Sequence, residues 1–304
     1  MLNPSLFPSY AQFVNRWVDT YYDGAKEKQG GIRNVARFKE YTKDLIIRRE
    51  REQVMPELPR INRVKLYMQM EKEASDAYDV EVNDFIKWYN NAVIGGEEDS
   101  FATSQGMLAR INRMRHLTGR AKIPVTVYDV EEHLEETDRK LIVFVHHIDV
   151  GEIIKQQIEQ LDIVKEKNIP VYQIYGGMDD MKTSLVQEQF NNTKQCVMIA
   201  STLAAGEGLN LQTCCDCIIH ERQWNPQNEE QAEGRMIRIG QESKKVGAKY
   251  ATAAATIDEQ LDMIVERKRI QFHAAMNKGE ITRWDENSII KELAEAIVRG
   301  GKRK

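Results

Sequence analysis

No stretch of this 304-residue chain reaches the roughly twenty consecutive apolar residues that a membrane-spanning helix needs. The longest aliphatic run of note is Leu141-Ile142-Val143-Phe144-Val145. The start, Met1 to Pro8, lacks the basic opening and apolar stretch of a secretion signal. The expectation is therefore no membrane partner and a cytoplasmic location, or a nuclear one in a eukaryote. Cysteine is scarce. The four present, Cys196, Cys214, Cys215 and Cys217, crowd one neighbourhood instead of taking the spread spacings of a disulfide framework. Excess positive charge is missing too: 43 basic against 47 acidic residues leave a formal net charge of −4. That removes any bulk electrostatic argument for nucleic acid, so a nucleic-acid contact must be local.

What is present has two textures, with the change near Asp138. Before it the pattern is mainly helical. Ser9 and Gln12 have the spacing of a capping box, which predicts a helix to about Tyr22, ended by a loop holding Gly24, Gly30 and Gly31. A second helix is expected over 34–51, and others over 72–93, 103–118 and 125–136. Residues 63–70 alternate Val64, Leu66, Met68 and Met70 with polar neighbours, which predicts a strand. After Arg139, short apolar runs at 141–145, 171–174, 197–200, 217–219 and 246–250 alternate with helical segments. Strands apolar on both faces and separated by helices imply an α/β fold, a parallel sheet covered on both sides. A long amphipathic helix over 257–276 and a last helix after Asp285 follow.

The run Cys214-Cys215-Asp216-Cys217 with His220 contains ligand types that zinc prefers. The favoured reading is reduced core thiols and no metal, because neighbouring strand residues point to opposite faces. Two local basic patches, Arg110 to Lys122 and Lys302-Arg303-Lys304, read equally well as solvated faces or phosphate contacts.

Gly176 to Thr183 nearly matches a phosphate-binding loop, G-x-x-x-x-G-K-[ST], but Met181 replaces the second glycine. A methionine would crowd the wrap of backbone amides, and Asp179 and Asp180 would repel the anion. The segment from Ser201-Thr202 to Leu211, with Gly206 and Gly208, follows a predicted strand. It sits where open α/β sheets bind ligands, though an ordinary strand-to-loop turn has the same pattern. Asn225 and Pro226 mark a helix start, with the helix expected through Ile239. On it Gln231, Arg235 and Arg238, four and three apart, would share a face. Spacing alone leaves two readings of these arginines, a solvated pair or a fork for phosphate oxygens.

The string Gln231-Ala232-Glu233-Gly234-Arg235-Met236-Ile237-Arg238-Ile239-Gly240-Gln241 decides for the fork. It resembles helicase motif VI as the Swi/Snf (Snf-two) family of superfamily 2 writes it, Q-x-x-x-R-x-x-R-I-G-Q. Ser201 to Leu211 is similar to the family's motif V, with Ala205 in place of one glycine, and Trp224-Asn225-Pro226 matches its W-N-P. Lys140 to His147 looks like motif IV, Tyr175-Gly176-Gly177 like the D-G-S/T element, and Thr256 to Glu259 like the opening of the brace helix. Ile46 to Pro59 is similar to L-R-R-x-K-x-x-V-x-x-x-L-P. The resemblance runs from Asn3 to about Met276, and Arg115 to Lys122 most resembles the annealing-helicase or bacterial and viral branch.

The resemblance implies a RecA-like fold of the P-loop NTPase type without its own P-loop, preceded by a mainly helical family-specific region. The expected parts are 1–60, the end of a first lobe and linker; 61–138, a helical insertion; 139–255, the second RecA-like domain; and 256–304, brace helix and helical tail. It implies the C-terminal half of a DNA-dependent ATPase that translocates on double-stranded DNA. ATP and Mg2+ would be shared with a first lobe, encoded in the same gene or separately, that carries the P-loop and acidic box absent here. Met1 would then begin a half-motor, inactive alone. Arg238 and Arg235 would be catalytic, with Gln231 and Gly208 lining the nucleotide. Ser201, Thr202, Gly176, Gly177, His147 and Trp224 would face the DNA backbone. The alternative is a stand-alone DNA-binding or regulatory module without ATPase activity.

Overall fold

The computed structural model describes residues 6–22, 27–45, 54–95, 100–206, 208–277 and 286–301. The chain divides into two compact units, Met1–Pro56 with Lys268–Asp285 and Glu57–Arg267 with Glu286–Lys304.

In the smaller unit, helix α1 (Tyr10–Trp17) opens at Ser9, whose hydroxyl accepts the Gln12 amide. It ends earlier than expected. Val18, Thr20, Tyr21 and Tyr22 favour extended backbone, and β1 (Val18–Tyr22) pairs antiparallel with β2 (Glu27–Ile32), which takes in Gly30 and Gly31. Helix α2 (Val35–Thr42) starts at Asn34, whose side chain accepts the Arg37 amide. It stops well short of Arg51. Trp17 packs between Phe38 and Tyr41, at ring distances of 5.2 and 5.0 Å. Gly24 and the segment from Ile46 to Arg49 lie outside the described residues.

The larger unit is built on a six-stranded sheet. Its strands are β3 (Ile61–Met68), β4 (Leu141–Val145), β5 (Val171–Ile174), β6 (Val197–Ser201), β7 (Asp216–Ile219) and β8 (Val246–Ala253). The order is β3-β8-β7-β4-β6-β5, and every neighbouring pair is parallel. The helices are α3 (Lys72–Tyr89, continued by a π turn over Asn90–Ile94), α4 (Ser100–Ala121), α5 (Ile123–Glu136), α6 (Ile148–Gln160), α7 (Asp162–Lys167), α8 (Asp180–Asn192), α9 (Thr202–Gly206) and α10 (Pro226–Glu233). Helices α11 (Ile257–Asn277) and α12 (Glu286–Gly301) complete the described chain.

Alternation along the central strands sorts their side chains into two cores. Ile142 and Phe144 join Met198, Ala200, Cys217 and Ile219 under α8, α9 and α10. Leu141, Val143 and Val145 join Val197, Ile199 and Ile218 under α5, α6 and α7. This is the parallel α/β sheet, covered on both sides, that the patterning predicts. One strand changes place: residues 61–68, expected inside a helical region, form the sheet edge beside β8. The sheet thus draws on both sides of the textural change near Asp138. Its side chains are exposed or only half-buried, which is why its pattern is half polar.

Candidate nucleotide and DNA-backbone sites

The helix expected through Ile239 ends at Glu233. Beyond it the Arg235 and Met236 amides donate to the carbonyls three residues back, Ala232 and Glu233, at 3.1 and 3.0 Å. The Arg235 carbonyl accepts the Leu211 amide instead of continuing the helix (3.2 Å). Gly240 then takes φ +97°, a left-handed conformation that favours glycine. Arg235 and Arg238 therefore do not share a helix face. They meet on a loop: the Arg235 guanidinium donates to the Gly206 carbonyl, and that of Arg238 to Asn210 Oδ1. Both are half-buried, and no carboxylate among the described residues pairs with either. Gln231 is exposed beside them, its Oε1 3.7 Å from where a Cβ on Gly206 would stand. Gly208 is exposed at φ +78° with open space around it. Two cations, an amide and a glycine turn around one loop suit phosphate oxygens.

The other expected residues gather at the carboxyl ends of β4, β5 and β6, the edge where parallel α/β sheets take ligands. His147 caps the start of α6, Gly176 and Gly177 form the exposed turn after β5, and Ser201 ends β6. Two members stand differently from expectation. Thr202 is fully buried and its hydroxyl donates to the Val145 carbonyl at 3.3 Å, so it braces β4 instead of presenting a donor. The Trp224 ring is nine-tenths covered, with the Arg115 guanidinium 4.2 Å from its centroid. The near-match to a phosphate loop is closed by its own sequence. The Asp179 carboxylate accepts the Met181 and Lys182 amides at 3.0 and 3.3 Å, which occupies the first turn of α8.

Four charged residues that sequence reasoning left unassigned hold this edge together. Glu221, just past β7, accepts the His146 and His147 amides on Oε2 at 2.8 and 2.9 Å, and His147 Nδ1 on Oε1 at 2.6 Å. Burial pushes its carboxyl up, but the His147 bond and the neighbouring imidazoles outweigh that and hold it well below the usual carboxylate range. Arg222 forks onto Glu229 at 3.1 and 2.7 Å, reaches Asp262 and Glu266 on α11, and lies 4.7 Å over Tyr250. Lys122 pairs with Asp258 at 2.6 Å, and Asp258 also accepts the Thr118 hydroxyl at 2.8 Å. Arg115 donates to the Arg222 carbonyl. The basic patch from Arg110 to Lys122 is therefore split: Arg115 and Lys122 are buried, whereas Arg113 and Arg120 stay exposed and pair at the surface with Glu81 and Asp149. Lys302-Arg303-Lys304 lie outside the described residues. The one available signal was chemical, a set of charges directly after the apolar run Cys217-Ile218-Ile219.

All four cysteines are buried, and burial raises each thiol, Cys196 to about 12. Among the described residues no three His, Cys, Asp or Glu side chains could hold a metal ion, and no helix is long and apolar enough to cross a membrane. His220 is fully enclosed: Nε2 donates to the Gly119 carbonyl and Nδ1 accepts the Thr126 hydroxyl, both at 2.8 Å. A neutral ring satisfies both nitrogens. Burial first, then the charge of Lys122, lower its pKa to about 4. The folded value lies below the unfolded one, so this group's stabilisation is present above about pH 6.5 and is lost as pH falls toward about 4. Urea unfolding at stepped pH is expected to show up to about 1.4 kcal/mol lost per pH unit from this group. His220→Asn should flatten that slope; an unchanged slope would refute the assignment.

The profile of the helicase conserved C-terminal domain family matches residues 125–240. An uncharacterized ATP-dependent helicase of Mycoplasma genitalium is 28% identical over 80% of this chain and 23% of its own length. The SWI/SNF-related matrix-associated actin-dependent regulator of chromatin subfamily A-like protein 1 of Xenopus tropicalis is 26% identical over 94% of this chain and 29% of its own. The chain thus spans about a quarter of the length of these curated relatives. The Sulfolobus solfataricus SWI2/SNF2 ATPase core in complex with dsDNA superposes with a TM-score of 0.60 at 24% identity, over 98% of this chain and 61% of that one. Sheet order and these matches agree: the chain folds as a RecA-like α/β lobe, carries a helicase conserved C-terminal domain over residues 125–240, and is similar to SWI/SNF-type ATPases along most of its length.

Proposed function

We propose that this lobe is half of an ATP-dependent translocase on double-stranded DNA, supplying the arginine side of a nucleotide site. The observation that carries the reading is the meeting of Arg235 and Arg238 on the Gly206–Asn210 loop, unneutralised by any described carboxylate. A pure binding module has no use for two guanidiniums aimed around a glycine turn. Arg238 acts as the arginine finger, stabilising charge that develops on the transferring phosphoryl group. Arg235 holds the γ-phosphate or the lobe geometry, and Gln231 and Gly208 line the nucleotide. The donor set is cationic, so it fits phosphate oxygens; the Mg2+ that accompanies ATP falls to ligands of a first lobe.

His147, Gly176, Gly177 and Ser201 grip phosphodiester oxygens without reading sequence. Thr202 and Trp224 support that edge from beneath. Closing and opening of the two lobes around ATP then steps the protein along the duplex. The subset of relatives named as ATP-dependent helicases and the DNA-bound structural neighbour support this reading. Its test is DNA-stimulated ATP hydrolysis by the chain alone and by the chain mixed with a separately made first lobe of the same family. The expected result is silence alone and activity in the mixture. Hydrolysis by the lone chain would overturn the half-motor reading, and a mixture that binds DNA without hydrolysis would favour a binding module.

A further inference from the structure

The contact between Glu221 and His147 does more than tie β7 to β4. Glu221 is buried, with only 4% of its side chain exposed. Both its oxygens act as acceptors, Oε2 for two backbone amides and Oε1 for the imidazole. An oxygen that already serves as an acceptor requires a proton on His147 Nδ1. Glu221 is held in place by its burial and these three bonds, and its Oε1 fills the space that a Cβ on Gly119 would need, 2.6 Å away. That leaves Nε2 as the nitrogen open to a ligand, and in the neutral ring it is an acceptor. A phosphodiester oxygen is an acceptor too. The two attract only after Nε2 gains a proton.

We propose that Glu221 is a positioning residue that locks His147 in the Nδ1–H tautomer, so that the grip of His147 on a DNA phosphate is coupled to uptake of one proton at Nε2. The inference rests on the reading of His147 as a backbone-facing residue. The groups around the ring fit a proton-linked contact. His116 on α4 meets it edge-on at 4.9 Å, and its own Nε2 is bonded to Asp149 on α6 at 2.7 Å. His146, 4.8 Å away, is lowered to about 4 by burial and by the charge of Arg115, so it stays neutral and adds no competing charge. Glu221 bonds the ring directly, and Asp149 is shared between His116 and Arg120.

Glu221→Gln discriminates sharply. The two backbone amides need an oxygen, so the glutamine oxygen is drawn to the Oε2 position and its NH2 group faces His147. Nδ1 must then accept, the ring changes to the Nε2–H tautomer, and a neutral His147 can donate to phosphate without taking up a proton. Long-range proton–nitrogen NMR on the full chain reads the tautomer directly, with no DNA present. Binding of a mixed-sequence duplex between pH 5.5 and 8.5 at fixed salt reads the coupling.

The expected result is the Nδ1–H tautomer in the unaltered protein, with affinity falling toward a limit of about tenfold per pH unit as His147 loses its second proton. Glu221→Gln should show the other tautomer and nearly pH-independent binding. His147→Asn, which leaves Glu221 in place, should also bind without pH dependence, and it serves if the glutamine variant fails to fold. An Nε2–H tautomer in the unaltered protein would overturn the proposal outright. The right tautomer with pH-independent binding would overturn the coupling alone. The right tautomer with no duplex binding at any pH would instead refute the DNA-facing reading of His147, and the coupling would fall with it.

Discussion

Arg238→Ala is expected to lower DNA-stimulated ATP hydrolysis by the chain paired with a first lobe by about three to five orders of magnitude, the range that arginine fingers contribute in phosphoryl transfer. The size follows from where the charge acts. A guanidinium is permanently charged and forked, and it opposes negative charge that grows only in the transition state, so its loss falls on kcat more than on KM. The fold should hardly notice, because Arg238 is half-exposed and its partner Asn210 is exposed as well. The thermal midpoint of the variant should therefore stay within a few degrees of the parent. Arg238→Lys keeps the charge but loses the fork, and should recover only a small part of the rate. Single-turnover rates at saturating ATP check this directly. A loss under tenfold in Arg238→Ala would remove Arg238 from the catalytic role and leave Arg235 as the candidate.

Arg222→Ala is expected to cost about 3–5 kcal/mol of stability, the penalty for stranding buried charges whose partner has been removed. Arg222 and Glu229 are essentially inaccessible, at 4% and 0% side-chain exposure, and Asp262 at 3% shares the same guanidinium. Deleting the guanidinium removes the fork from Glu229 in a core that cannot hydrate it, and leaves Asp262 to its pairing with Lys65. Glu229 also accepts the Gln223 amide just before Trp224. The damage should therefore reach the W-N-P segment and the start of α10 as well as α11. Urea unfolding curves measure the loss through the shift of the midpoint. Arg222→Met should do no better than alanine, since filling the space restores no positive charge to Glu229. A cost below about 1 kcal/mol would mean that the network is hydrated, as surface ion pairs are.

Periodicity and composition made the sheet legible. Leu141–Val145 reads as a central strand because all five residues are apolar, and the fold buries all five. Ser9 and Asn225 read as helix starts because a short acceptor side chain needs only the next turn to find its amides. The motif strings around Ser201, Trp224 and Arg238 pointed to the helicase conserved C-terminal domain, since they are local in the chain. By contrast, the end of α10 was illegible. Local propensity favours continuing the helix through Arg238, but the Leu211 amide, twenty-four residues earlier, takes the Arg235 carbonyl. Placement of β3 at the sheet edge likewise depends on pairing with β8, nearly two hundred residues later.

The sequence by itself determined the class of fold, the order of most of its strands and helices along the chain, and the helicase-type motif strings, because each depends on residues within a few turns of one another. Only the tertiary structure decided which charged residues are buried and what they hold. Arg115, Lys122, Glu221 and Arg222 look like ordinary surface residues in a row of letters, and charged side chains are seldom fully buried without partners. Their partners lie on other strands and helices, with His147 seventy-four residues from Glu221 and Asp262 forty from Arg222. A charge can enter a core only where the fold has already brought partners for it, carboxylates for Lys122 and Arg222 or a carbonyl and an aromatic ring for Arg115, so that decision belongs to the closed chain and to no segment of it.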